Sequence, residues 1–306
     1  MNGNKQAILV TAADLAPQAL DLLKDFDVVF AGPRPQESDI LALIKKHDPV
    51  GIIVRYGRIS AAAIDAGRSL KVISKHGSGI DTIDSQAAKA HKVAVCAAVG
   101  VNAAAVAEHA ITLMLACAKS VVKMNSRMHA GHWDKASHKS IELRGRTLGL
   151  IGLGAIGART ALIAHAMELN VIAYDPYAKQ APDYVRLAGL DEIWRAADII
   201  SLHCPLTAEN RNLINAQTLD QCKPGIIIVN TARGGLIDED ALLAAVHNGR
   251  VGAAALDSFQ QEPPPATHPF FKEEKILLSP HIGGVTQDAY VNMGVAAARN
   301  LLSQLA

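Results

Sequence analysis

Residues 147–169 read TLGLIGLGAIGARTALIAHAMEL. Leu148–Ile151 is a short apolar run suited to a buried strand, and Ala158–Leu169 follows a helical pattern. Between them stand Gly152, Gly154 and Gly157, spaced G-x-G-x-x-G. Glycines at turns are common, so the spacing alone says little; following a strand and opening a helix, it is the dinucleotide fingerprint. Gly152 permits the tight turn, Gly154 lets the main chain approach a pyrophosphate, and Gly157 allows close helix–strand packing. The amides of Ala155 and Ile156, at a helix N-terminus, then face negative charge. Asp175 ends the next expected strand, Val171–Tyr174, where a carboxylate can bond a ribose 2′-hydroxyl. It would repel a 2′-phosphate, and no Arg follows closely to welcome one, so the pattern favours NAD over NADP. The alternative is a strand-capping Asp beside a structural turn.

The same strand–helix rhythm runs through most of the chain. Expected strands before the fingerprint are Ala7–Val10, Val28–Phe30, Gly51–Val54, Val72–Ser74 and Ala94–Cys96, with helical segments such as Pro17–Lys24 and Ser38–Lys46 between them. Later come Thr147–Leu153, Ile199–Leu202, Ile226–Asn230, Gly252–Leu256 and Ile276–Ser279. Such alternation implies parallel sheets with helices on both faces. Asn102–Gly131 reads as one long helix, of a kind that connects domains or supports an interface. Thr286–Leu302 reads as a terminal helix with no strand after it, which would pack back on the first domain.

At 306 residues the chain suits about two domains of ~150 residues. Half the residues are hydrophobic and 19% charged, which excludes disordered and collagen-like classes. Lys+Arg 30 against Asp+Glu 29 gives a net charge of +1, so no basic excess argues for nucleic acid. The opening MNGNKQAILVTAADLAPQ resembles neither a signal peptide nor a membrane anchor. The longest apolar stretch, around Ala110–Ala118, falls short of the ~20 residues of a membrane span. Cys96, Cys117, Cys204 and Cys222 show no metal-type spacing and read as buried thiols of a reducing compartment, so a cytoplasmic setting is expected. His76, His109 and His203 match no zinc pattern, so no metal is expected.

A nicotinamide cofactor exchanges a hydride, so the protein must manage a proton and hold a substrate. Three later segments sit where open α/β sheets place ligands: Asn230–Gly235 (NTARGG), Leu256–Pro263 (LDSFQQEP) and Ser279–Gly284 (SPHIGG). Arg233, on a Gly-flanked turn, can offer a planar fork to a carboxylate. His281, among glycines and a Pro, is suited to proton transfer near neutral pH, and Glu262 could orient it. Each has a plainer alternative: Arg233 paired with Asp238, Glu262 solvated, His281 capping a strand.

Taken in order, Gly152–Gly157, Asp175, NTARGG, LDSFQQEPP and SPHIGG resemble the D-isomer-specific 2-hydroxyacid dehydrogenase family, especially its phosphoglycerate dehydrogenase and hydroxypyruvate reductase members. The resemblance runs from about Val50 to the C-terminus. It implies a Rossmann NAD-binding domain, residues 99–284, inserted in a flavodoxin-like substrate domain, residues 1–98 and 285–306. It also implies a homodimer, with the long helix at its interface. By the same resemblance Arg233 binds the substrate, His281 is the acid/base and Glu262 its partner. Asp257 would contact the nicotinamide side. His203, Cys204, Pro205 and Thr207, in a loop similar to the family's after its third cofactor-domain strand, would line NAD with Thr231, Ala232 and the turn His281–Gly284, including Gly283 and Gly284. Lys75-His-Gly77-Ser78-Gly79 resembles the family's substrate-carboxylate loop, with Lys75 where many relatives carry Arg. Small residues suit a main chain that approaches an anion.

The implied reaction interconverts a small 2-oxo acid and its D-2-hydroxy acid. Arg55 and Arg58 follow an expected strand, and Arg55 stands where phosphoglycerate dehydrogenases carry an Arg for the substrate phosphate; solvated loop cations are the alternative. The chain ends soon after its last helix, so a regulatory domain like that of many phosphoglycerate dehydrogenases is not expected. Hydroxypyruvate, glyoxylate and 3-phosphoglycerate all stay open. Formate dehydrogenases share the architecture but carry Gln in place of Glu262. An NAD-sensing, corepressor-like binding protein is the rival of another class.

Overall fold

The structure, a computed structural model, describes residues 5–306, so the first four residues of the opening segment lie outside the described residues. The chain divides into two compact units, Met1–Asn102 with Val285–Ala306, and Ala103–Gly284. The first division falls after Asn102 rather than after residue 98.

The first unit runs β1 (Ala7–Val10), α1 (Pro17–Leu22), β2 (Asp27–Phe30), α2 (Glu37–His47), β3 (Gly51–Val54), α3 (Ala61–Ala66), β4 (Val72–Lys75), α4 (Ser85–Ala90) and β5 (Ala94–Ala97). Its five strands are all parallel in the order β2-β1-β3-β4-β5, the flavodoxin-like arrangement, with its switch point between β1 and β3. Successive side chains of a strand face opposite ways, so each strand feeds two cores. Leu9, Ile52, Val54 and Ile73 pack with Ile40, Ile44 and Ile64 on one face. Ile8, Val10, Ile53 and Val72 pack with Ala19 and Leu23 on the other.

The second unit opens on α5 (Ala103–Lys119) and α6 (Val121–His129), which correct the single helix expected over Asn102–Gly131. Ser120 sits between them in the left-handed region, φ 52 and ψ 36, and the axis bends by 60°. No Gly or Pro marks the break; what changes is burial. Ala110, Ile111, Leu113 and Met114 of α5 are core, whereas α6 buries nothing. No single helix among the described residues is long and apolar enough to cross a membrane.

Then follow β6 (Thr147–Ile151), α7 (Ala155–Ala166), β7 (Asn170–Tyr174), β8 (Val185–Leu187), α8 (Leu190–Ala196), β9 (Ile199–Leu202), α9 (Ala216–Gln221), β10 (Ile226–Asn230), α10 (Glu239–His247), β11 (Val251–Leu256) and β12 (Ile276–Leu278). All seven strands are parallel, in the order β12-β11-β10-β9-β6-β7-β8. That is the Rossmann order with one added strand, reversing between β6 and β9. Both faces are covered, so β10 reads as an unbroken apolar run: Ile226 and Ile228 enter one core, Ile227 and Val229 the other. β8 is absent from the sequence expectation, because a three-residue edge strand with one buried side chain carries no alternation to read.

The chain closes on α11 (Gln287–Leu305), whose Ala297, Ala298 and Leu301 complete the second core of the first unit. Gly51 makes room for it: a Cβ there would lie 2.8 Å from Leu301 Cδ1. The four cysteines are free thiols, but only Cys222 is buried outright and the others are partly covered.

Candidate active site

In the second unit, every motif singled out from the sequence follows the C-terminal end of a parallel strand. That edge is where open α/β sheets bind ligands. Gly152 follows β6 with φ +100, and a Cβ would strike the His203 carbonyl carbon at 2.7 Å, so only glycine fits. At Gly157 a Cβ would lie 2.1 Å from the Gly152 carbonyl oxygen, so α7 can begin only with glycine there. Gly154 caps α7 without a side-chain bond, and a Cβ on it would meet nothing within 4 Å. The first amides of α7, Ala155 and Ile156, therefore begin beside open space. Asp175 directly follows β7; its Oδ2 accepts from the Leu153 amide at 2.8 Å and its Oδ1 from the Tyr177 amide at 2.9 Å. The carboxylate thus fixes the glycine-rich turn from the side.

The loop after β9 holds His203, Cys204, Pro205 and Thr207. His203 Nε2 lies 2.9 Å from Ser201 Oγ, while its Nδ1 is buried without a partner, and burial lowers its pKa to about 4. Burial likewise lifts Cys204 to about 11 and Cys117 to about 12, so neither is a thiolate near neutral pH. Asn210 staples this loop: its Oδ1 accepts from Thr207 N at 2.7 Å and its Nδ2 donates to Pro205 O at 2.7 Å.

After β10, buried Asn230 ties down the turn that carries Arg233. Its Nδ2 donates to Arg233 O at 2.8 Å, and its Oδ1 accepts from Ala232 N at 2.9 Å. At Gly234 a Cβ would lie 1.9 Å from the Phe259 carbonyl carbon, so this glycine lets the Arg233 turn lie directly on the segment leading to Glu262. Glu262 Oε1 accepts from Phe259 N at 3.0 Å, which leaves Oε2 aimed at His281 Nδ1, 2.7 Å away. His281 itself has φ +54. A carboxylate only accepts, so Nδ1 carries the proton of that bond and Nε2 is the nitrogen left for a reacting group. The Glu262 bond raises the His281 pKa against burial and the Arg233 charge, which both lower it. Burial pushes Glu262 up, but the His281 bond and charge outweigh it and hold the carboxyl below its ordinary value.

Asp257 has a structural place that the sequence did not suggest. It is 2% exposed and lies under the 279–283 turn. Its Oδ1 accepts from Ser279 Oγ at 2.6 Å and Ile282 N at 2.9 Å, and its Oδ2 accepts from Gly283 N at 2.7 Å. Its bonds secure the turn that bears His281. His109 of α5 reaches the same place, with Nε2 3.0 Å from Ser279 Oγ and 3.4 Å from Asp257 Oδ1. Asn210, Asn230 and the His109–Ser279 contact escaped sequence reasoning. Only Asn230, a polar end to an apolar strand, left a visible signal.

The first unit gathers the remaining candidates at its own C-terminal edge. Lys75 ends β4 and donates from Nζ to Arg55 O at 3.3 Å. Gly77 follows with φ +145, and Ser78 Oγ bonds Asn102 Oδ1 at 3.2 Å. Gly79 is next in that loop. Arg55 directly follows β3 and is ion-paired to Asp14 at 2.7 Å. Buried His76 has an unpartnered Nε2, and burial, aided by the Arg55 and Lys75 charges, drives its pKa down to about 4.

A Rossmann sheet with a glycine-rich turn and an acidic residue after β7 defines a dinucleotide-binding fold, and the carboxylate-held His281 after β12 lies on the same sheet edge. The residues fit such a cofactor: the space beside Gly154 is open, the α7 N-terminus lacks a side-chain cap, and Thr231 Oγ1 is buried without a partner.

Comparison with known proteins agrees. Residues 111–283 match the family described as D-isomer specific 2-hydroxyacid dehydrogenase, NAD binding domain. A hydroxypyruvate reductase of Thermotoga maritima is 38% identical over 95% of this chain and 96% of its own length. A D-3-phosphoglycerate dehydrogenase of Archaeoglobus fulgidus is 34% identical over 96% of this chain, which spans only 56% of that relative. A crystal structure of a Thermus thermophilus protein, 33% identical, covers 98% of this chain and 97% of its own, with a TM-score of 0.91. The chain belongs to the D-isomer specific 2-hydroxyacid dehydrogenase family, and its second unit contains that family's NAD-binding domain.

Proposed function

We propose that this protein is an NAD-dependent dehydrogenase that interconverts a small 2-oxo acid, of the hydroxypyruvate or phosphohydroxypyruvate type, and its D-2-hydroxy acid. The observation that carries this reading is the 2.7 Å bond from His281 Nδ1 to Glu262 Oε2, on the sheet edge that also presents Arg233 and the glycine-rich turn. The name of the Thermotoga relative supports the substrate class.

NAD, when bound, accepts or supplies the hydride; Gly152, Gly154, Gly157, Asp175, Thr207, Thr231 and Ala232 would hold it. Protonated His281 gives its Nε2 proton to the carbonyl oxygen during reduction and, as neutral imidazole, takes it back during oxidation. Glu262 keeps the imidazole in the tautomer this exchange needs. Arg233 offers its fork to the substrate carboxylate and stabilises negative charge growing on the carbonyl oxygen. In the substrate unit, Lys75 and the Gly77–Ser78–Gly79 amides are assigned to the substrate carboxylate. Asp175 favours NAD over NADP by repelling a 2′-phosphate. The proposal includes a homodimer: α6 and the following loop expose Val121, Val122, Met128 and Trp133. Sedimentation at micromolar concentration that gives a monomer would reject it.

The test is NADH oxidation, followed by the loss of NADH absorbance, with hydroxypyruvate, its 3-phosphate, glyoxylate and pyruvate, beside the His281→Ala variant. Turnover in the native chain that is lost in the variant is the expected result. NADH binding without turnover of any of these acids would overturn the assignment.

A further inference from the structure

We propose that Asp14 is a specificity residue: by occupying Arg55, it makes the protein select 2-oxo acids with an uncharged third carbon over their phosphorylated counterparts. This rests on the dehydrogenase reading above and narrows its substrate class.

The arrangement is built by the fold. Asp14 follows β1 and Arg55 follows β3, the two strands at the switch point of the five-stranded sheet, where such sheets receive ligands. Buried Thr11 locks these two strand ends together. Its Oγ1 accepts from Arg55 N at 3.0 Å and donates to Tyr56 O at 2.6 Å, and its carbonyl accepts from Tyr56 N at 3.1 Å. The Arg55 side chain, 20% exposed, therefore leaves the sheet in a fixed direction. Its Nη1 donates to Asp14 Oδ1 at 2.7 Å, and its guanidinium lies over the Tyr56 and Tyr290 rings, 5.0 and 4.7 Å from their centroids. The Tyr290 hydroxyl donates to the same Asp14 oxygen at 3.2 Å.

An exposed ion pair between two free side chains does little. This one differs because three elements, β1, β3 and α11, converge on it and both partners have a second contact. A phosphate dianion seeking Arg55 must displace the carboxylate or bind beside it. The Asp14 side chain is 69% exposed, so its negative charge stands where that dianion would approach. A neutral hydroxyl or hydrogen on the third carbon meets no such repulsion. Arg58, three positions on, is exposed and is the other cation through which a phosphate could be taken.

The test compares kcat/KM for hydroxypyruvate and its 3-phosphate, with NADH, in the full-length wild type, Asp14→Asn and Asp14→Asn/Arg55→Ala. We expect the wild type to favour the unphosphorylated acid by about tenfold or more. Asp14→Asn should shrink that ratio by about tenfold, a change of ~1.4 kcal/mol, and the double variant should lose the gain. Calorimetric titration of inorganic phosphate, which requires no turnover, should show about tenfold tighter binding to Asp14→Asn than to wild type. A wild type that uses the phosphorylated acid equally well, through Arg58 or otherwise, overturns the proposal. So does a ratio in Asp14→Asn within twofold of wild type. Tighter phosphate binding without reduction of any 2-oxo acid sinks the dehydrogenase reading and upholds the anion exclusion; hydroxypyruvate turnover with an unmoved ratio does the reverse.

Discussion

Glu262 holds His281 by two steps: Phe259 N fixes one carboxylate oxygen at 3.0 Å, and the other meets His281 Nδ1 at 2.7 Å. The Glu262 bond raises the His281 pKa above its ordinary 6.5, the direction that suits the proton-donor role proposed for the pair. In the proposed reaction, reduction needs protonated His281, so its kcat/KM should fall as pH rises through that pKa; oxidation needs the neutral ring and should rise with pH. Glu262→Gln removes the raising interaction, so both limbs of the pH–rate profile should move to lower pH. His281→Ala should cost about 10²–10⁴-fold in kcat. A Glu262→Gln profile superimposable on wild type would detach Glu262 from the proton.

The same pair links to stability. His281, raised, contributes stability that is full below its unfolded pKa and lost as pH rises through the folded one. Glu262, lowered, contributes stability present above its unfolded pKa and lost as pH falls through the folded one. The stability difference between wild type and Glu262→Gln should therefore be largest between those limits and shrink on both sides. Urea unfolding across that pH range measures it, and a constant difference would contradict the linkage.

Asp257 supports the His281 turn from beneath, accepting from one hydroxyl and two amides. Asp257→Ala strands those donors, at about 1–3 kcal/mol for each group left buried and unsatisfied. We expect a lower unfolding midpoint in urea and a kcat loss larger than any rise in NADH Kd. Ser279→Ala, which breaks only the hydroxyl link to Asp257 and His109, should show the same pattern more weakly. If Asp257→Ala chiefly weakens NADH binding, the direct nicotinamide contact implied by the resemblance would be the better account.

Gly154 and Gly157, in one turn, separate binding from folding. A Cβ at Gly157 would lie 2.1 Å from the Gly152 carbonyl oxygen, whereas one at Gly154 enters open space. Gly157→Ala should lower the Tm and weaken NADH binding together. Gly154→Ala should move the Tm little, because the entropic gain of a compatible Gly→Ala change offsets the poorer N-cap, yet weaken NADH binding at least tenfold. Differential scanning calorimetry and NADH fluorescence titration distinguish the two. Unaltered NADH affinity in Gly154→Ala would place the pyrophosphate elsewhere.

Most of this fold was legible because buried parallel strands announce themselves as apolar runs: Ile199–Leu202 and Ile226–Asn230 are strands with the bounds the sequence suggests. Pattern failed where nothing local encodes the event. The long helix breaks at Ser120 where burial also ends, and β8 contributes a single buried residue. Of the candidate site, the glycines were legible because close approach dictates them, and His281 and Glu262, singled out by residue type, lie 2.7 Å apart. His109 and Asp14 were not, since each acquires meaning from a partner distant in sequence, Ser279 and Arg55. Such pairings exist only after the strands have been ordered.

The proposed preference for NAD over NADP rests on Asp175. One oxygen already braces the glycine-rich turn through Leu153 N, so the residue has a structural duty besides recognition. Asp175→Asn keeps one oxygen able to accept from Leu153 N while it removes the charge and the second acceptor, now used by Tyr177 N. In Asp175→Asn we expect the NADH-over-NADPH ratio of kcat/KM to fall about tenfold, ~1.4 kcal/mol, through better use of NADPH more than loss of NADH. Asp175→Ala, which also frees the turn, should weaken both cofactors and lower the Tm. Initial rates with each cofactor at saturating 2-oxo acid measure this. A wild type that already prefers NADPH, or an unchanged ratio in Asp175→Asn, would show that the charge at this strand end does not choose the cofactor.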